Sequence, residues 1–157
     1  MATPQQVIDA IMADMRVLSV TTGTPSVTVN MRGAPDEPPE KIEVYPFCVA
    51  WVESGTSWSD IPGGQIILMN IRLELHIARK DLPRDIEKAM PWLATILNAI
   101  HKPMATTAGD RFGGMVDAMG EVAFTFGDLG YGMPGATIPT IGFSFLLQDV
   151  KIQTNIT

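Results

Sequence analysis

Every odd position from Ile67 to Ile77 is apolar, and Asn70, Arg72, Glu74 and His76 fall between them. Strict period-two alternation of this length places Ile67, Met69, Ile71, Leu73, Leu75 and Ile77 on one face of a sheet. Residues 66–78 are therefore read as one long half-buried strand. Its opposite face is polar, so the strand needs only one covering layer, which is the habit of an antiparallel sheet carrying helices on one side.

The covering layer is visible on either side of that strand. Thr3 and Pro4 form an N-cap and first helical position, and Val7, Ile8, Ile11, Met12 and Met15 recur at helical spacing through about Arg16. Asp81, Leu82 and Pro83 resemble a second cap, after which Ile86, Met90, Leu93, Leu97 and Ile100 make an apolar stripe ending near His101 and Pro103. Pro91 lies inside this helix, and the donor it removes predicts a kink or break near residues 89–91.

Further strands follow from alternation and its interruptions. Val27, Val29 and Met31 suggest a short peripheral strand, and Tyr45, Phe47, Val49 and Trp51 a second strand over residues 42–52. Residues 33–40 hold Pro35, Pro38, Pro39 and three carboxylates, the composition of an exposed loop. Residues 53–65 read as a long hairpin arm or loop, and residues 104–120, with four glycines, as a mobile connection. Val122, Phe124 and Phe126 mark a short strand. In the last run Ile141, Phe143, Phe145 and Leu147 are odd, whereas Val150 and Ile152 are even. One inserted residue exchanges the two faces of a strand, so this parity switch predicts a bulge near Gln148 and Asp149. The expected fold is α+β: a single domain over residues 1–157, a mostly antiparallel sheet covered by two main helices, with long loops.

Composition narrows the function classes. Eleven Lys and Arg against seventeen Asp and Glu give a net charge of -6, with no basic cluster of the kind that neutralises phosphates. No stretch approaches the roughly 20 apolar residues that span a bilayer. The first residues lack the basic and apolar blocks of a signal peptide, so synthesis in a cytoplasm is expected. An apolar fraction of 46% is high for a small monomer and suggests surface covered by neighbouring subunits. Cys48 is the sole cysteine and sits in an apolar run, where a buried, inert thiol is expected.

Potential reactive groups do not converge. Residues 130–135 match Gly-x-Gly-x-x-Gly, but proline and another alternating strand follow instead of the helix a pyrophosphate site requires. His76 and His101 are the only histidines and have no partner at metal-ligand spacing. The pairs Asp81 with Asp85 and Asp117 with Glu121 share a face if those segments are helical, an arrangement common on solvated surfaces. No catalytic residue, cofactor or metal site is expected. Trp58, Asp60 and Ile61 in the first long loop, and Tyr131, Met133 and Ile138 in the last, place apolar or amphipathic groups among glycines and prolines. Such residues supply contact area at low entropic cost, which makes these six candidates for a subunit or partner interface.

The element order, the opening residues 4–11 (Pro-Gln-Gln-Val-Ile-Asp-Ala-Ile) and the closing run 138–145 (Ile-Pro-Thr-Ile-Gly-Phe-Ser-Phe) resemble tailed-bacteriophage tail terminator, or tail completion, proteins. The resemblance covers most of the chain but contains no diagnostic motif. It implies a non-enzymatic virion subunit, assembled in the host cytoplasm, that forms a hexameric ring at the head-proximal end of the tail. That ring caps the tail-tube protein, meets the head connector or neck protein, and lets DNA pass without specific binding. The acidic balance suits such a lumen, since like charges repel phosphate. Neck adaptors, other connectors and tail-tube subunits share similar scaffolds. A small hydrolase or ligand-binding domain built from dispersed carboxylates is the alternative of another class. A deep pocket joining a histidine to carboxylates would favour that reading.

Overall fold

The computed structural model describes residues 2–79, 86–101, 112, 115–132 and 137–155. Among these, the order is α1 (Pro4–Arg16), β1 (Ser19–Thr22), β2 (Val27–Asn30), β3 (Phe47–Ile61), β4 (Gly64–Arg79), α2 (Ile86–His101), β5 (Val122–Tyr131) and β6 (Ile138–Asn155). β1 and β2 form a separate hairpin, and the main sheet has the order β3-β4-β6-β5, antiparallel throughout. The architecture is the expected α+β one. A single peripheral strand was expected before Met31, and two are found, because residues 23–26 turn the chain back on itself.

α1 begins as its sequence dictates. The Thr3 hydroxyl accepts from the Gln6 amide at 3.2 Å, and the Gln6 side chain accepts from the Thr3 amide at 2.9 Å. This capping box satisfies two donors that the first turn leaves open. Val7, Ile8, Ile11, Met12 and Met15 are then buried against the sheet, each contributing about 1.5–3 kcal/mol. α2 runs from Ile86 through Pro91 to His101 without the expected break. Packing of Ala89, Trp92, Ile96 and Ile100 in the core outweighs the loss of one backbone bond. The cap expected at residues 81–83 lies outside the described residues.

Cross-strand rows define the helix-covered face. Cys48, Leu75, Phe143 and Phe126 form one row, and Ala50, Leu73, Phe145 and Phe124 form the next. Val52, Ile71, Leu147 and Val122 form the third. Beyond that row, β3 carries an extra residue at Glu53, and β6 carries one where Gln148 and Asp149 together face Asn70. The parity switch is thus a bulge at the expected place, with Asp149 in the left-handed region at φ 55°. It returns Val150 and Ile152 to the same face as Met69 and Ile67. Gly142 fixes the other end of the β4–β6 pairing: a Cβ there would collide with the Leu75 carbonyl and lie 3.2 Å from the His76 Cα.

β3 is longer than expected. It starts at Phe47 instead of residue 42 and continues to Ile61, so residues 53–65 are the tip of a β3–β4 hairpin arm and not a loop. Residues 115–120, expected in a mobile connection, are docked. The Lys151 amide donates to the Ala118 carbonyl at 2.9 Å, the Gly120 amide to the Gln148 carbonyl at 2.8 Å, and Val116 is buried. The Ala2 amide donates to the Gln153 carbonyl at 3.1 Å, so the outer side of β6 past Leu147 is covered as well. Phe112 and Val116 join the core.

Candidate assembly interface

The face of the sheet turned away from the helices carries a second, smaller apolar cluster. Phe47, Val49 and Ile42 are buried there, with Tyr45, Trp51 and Tyr131 packed around them. β3 thus buries both of its faces at its start, because residues 32–46 wrap around its edge. The Cys48 amide donates to the Gly33 carbonyl at 2.7 Å, Arg16 Nε donates to the Ala34 carbonyl at 2.8 Å, and Arg16 also pairs with Asp36. The Tyr131 hydroxyl donates to the Pro39 carbonyl. The proline-rich segment expected as a free loop is therefore tethered at both ends, though residues 36–40 remain exposed.

His76 sits at the centre of this arrangement, fully buried on the face the alternation assigned to polar residues. Its Nδ1 lies 2.6 Å from the Thr140 hydroxyl and its Nε2 lies 3.2 Å from Glu74 Oε1. The Tyr131 ring meets it edge-on, with centroids 5.5 Å apart, and Phe47 completes a triangle of rings, 6.4 Å from His76 and 5.9 Å from Tyr131. Burial, and secondly the Glu74 charge, raise the Tyr131 hydroxyl above its ordinary pKa. Burial likewise raises the Cys48 thiol strongly. Both histidine nitrogens are occupied and the ring is shut off from solvent, which is the geometry of a structural network. Nearby, Arg72 holds both Glu53 oxygens and donates to the Ser144 hydroxyl at 3.1 Å, so this charge is neutralised on the strand face.

Surface hollows are present among the described residues. One of about 720 Å³ lies open beside Arg16, Glu43 and Phe47. Another, of about 520 Å³, lies between the β1–β2 hairpin, Tyr45, Pro46 and Trp92. Neither gathers His76 or His101 with carboxylates. No group of three or more metal-ligating side chains occurs among the described residues. Asp117 and Glu121 flank the Ala118 bridge and do not share a helix, contrary to the helical pairing considered above. Asp81 and Asp85 lie outside the described residues. The glycines at 130 and 132 close β5, and the next element is strand β6.

Of the expected interface residues, Trp58 and Tyr131 lie at opposite ends of the sheet. Trp58 stands on the arm, 45% exposed and paired across from Ile66. Asp60 and Ile61 continue β3 toward its tip, their side chains outside the described residues. Tyr131 faces inward onto His76, and Ile138 pairs with it at the start of β6. Met133 lies outside the described residues. Tyr131 is thereby a residue that fastens the chain's own proline-rich segment.

What residue type alone did not disclose is the condition of the sheet edges. Among the described residues no strand pairs with the outer side of β5, and none pairs with β3 beyond Cys48. An edge strand presents a row of backbone donors and acceptors that can pair with another chain. The alternation of four antiparallel strands also makes β3 and β5 run in opposite directions. Neither a protein-family model nor a curated protein matches the chain.

Proposed function

We propose that the chain is a structural virion protein, a tail terminator subunit that assembles head-to-tail into a hexameric ring. The ring caps the tail tube, stops its growth and offers a surface to the head connector. The observation that carries this reading is the pair of oppositely directed edges, β5 and β3 beyond Cys48, with which no strand among the described residues pairs. A heterologous contact between two different surfaces of a subunit generates a ring when its rotation closes. The helix-covered core supplies the rigid body, and the exposed Trp58 on the outer strand β3 faces the tube or a neighbour. Six comes from the resemblance to terminators. DNA passes through without specific contacts, a role supported by the net charge of -6 and by the neutralised Arg72.

The hydrolase alternative draws no support from the histidine arrangement, since His76 is closed off and both its nitrogens are engaged. The proposal is tested by light scattering across a range of concentrations. A discrete species several times the 17.0 kDa of one chain is expected. A single-chain mass at every concentration counts against a self-assembling ring.

A further inference from the structure

Resting on the ring reading, we infer that the junction between subunits is a continuation of the main sheet, in which Phe124 of β5 packs against Val52 of the neighbouring copy's β3. Both are large apolar side chains left exposed, Phe124 by 48% and Val52 by 40%. Both lie on the helix-covered face, at opposite edges, because the Ala50 row ends in Phe124 and the Val52 row ends in Val122. The Ala50 row thus ends exposed at Phe124 on β5, and the Val52 row ends exposed at Val52 on β3.

Joining the edges places these ends together. With Phe124 opposite Val52, antiparallel pairing sets Thr125 against Trp51, Phe126 against Ala50 and Gly127 against Val49. Every one of these pairs matches face with face: Phe126 and Ala50 stand on the helix side, whereas Thr125, Trp51 and Val49 stand on the other. The register is one step along from the rows inside a subunit, which would align Phe124 with Ala50. A stagger of this kind is what a sheet of tilted strands requires in order to close on itself. The segment contains one charged side chain, Glu53 opposite Ala123, and Glu53 is already held by Arg72. No like charges meet. The bulge at Glu53 ends the pairing on one side, and the chain at Gly33 covers β3 at Cys48 on the other.

The occupant is a second copy and not an unrelated strand, because the two edges supply complementary parity, opposite direction and matching exposed apolar ends. A two-fold pairing of β5 with β5, or of β3 with β3, would instead leave the other edge open. The chemistry of a cross-strand contact separates these arrangements.

The test uses Val52→Cys and Phe124→Cys, singly and together, treated with a short bismaleimide; native Cys48 is buried and out of reach. The double variant should give a ladder of covalent oligomers on denaturing gels. Mixing the two single variants should give only dimers, and each single variant alone should stay uncrosslinked. Phe124→Arg, at a position exposed enough to tolerate it, should weaken assembly by about tenfold or more while the monomer stays folded. Dimers from either single variant alone would overturn the inference in favour of two-fold pairing. Rings that form but do not crosslink through these positions would overturn it while leaving the ring reading intact. Absence of any oligomer at all would overturn both.

Discussion

The Asn70 side chain accepts a hydrogen bond from the Asp149 amide at 3.2 Å, at the level where β6 carries its extra residue. Its Nδ2 donates to the Ser54 hydroxyl at 3.0 Å, beside the extra residue of β3. One side chain therefore fastens two bulges, one on each strand that flanks β4 at this level. Asn70→Ala should cost about 1–2 kcal/mol in urea denaturation. Asp149→Val should cost about as much, because a β-branched residue resists φ 55°. Asp149→Gly should be neutral or slightly stabilising.

The network at His76 makes a different prediction. Thr140→Val keeps the shape but deprives Nδ1 of its partner, and a buried polar atom without one costs about 1–3 kcal/mol. Chemical denaturation of this variant beside Thr140→Ser, which restores the hydroxyl, isolates the bond.

Tyr131 gives the same region a pH signature. Its hydroxyl is raised above its ordinary value of 10.0, first by burial and then by Glu74, so the folded state holds that proton more tightly than the unfolded chain. The contribution is complete below the unfolded pKa and is lost as pH rises from about 10 through the higher folded value. Tyr131→Phe, which also frees Pro39, should lower stability at neutral pH, and the gap to the native protein should narrow above pH 10. Thermal denaturation at pH 7 to 11 measures it.

Cys48 is fully buried, and its thiolate is disfavoured by desolvation. Since the thiolate is the reactive form, a thiol reagent at pH 8 should modify the native protein only as fast as it opens, and denatured protein at once. Rapid labelling of the native chain would show that the start of β3 is open in solution.

Much of the fold was legible because burial on one face leaves a period. The uninterrupted odd-numbered run predicted β4, and the switch after Leu147 located a bulge without any structure. α1 announced itself through Thr3, Pro4 and Gln6. Periodicity was less informative where a strand is covered on both sides. Tyr45, Phe47, Val49 and Trp51 alternated correctly, yet they pack on the small far cluster, while Cys48 and Ala50 face the main core. The arm was ambiguous because residues 52–59 are exposed on both faces and therefore show no apolar alternation. Tyr131 looked like a loop residue among glycines, and only the tertiary fold brings it to Pro39 and His76. The edges of the sheet depend on strand order, which no local pattern encodes, and so the exposed apolar residues Val52 and Phe124 were hidden among ordinary strand positions.

Trp58 tests the role of the arm separately from the sheet edges. Its indole is half-exposed opposite Ile66, on the face of the sheet turned away from the helices. Trp58→Ala together with Asp60→Ala should leave the circular dichroism and melting of the monomer close to native and weaken assembly. Unchanged assembly would remove the arm tip from the interface.

Negative-stain electron microscopy of the purified chain at low and high concentration addresses the central claim most directly. The account predicts particles of uniform diameter with a central hole and six-fold averages. Solid particles without a hole, or two-fold dimers at every concentration, would contradict it.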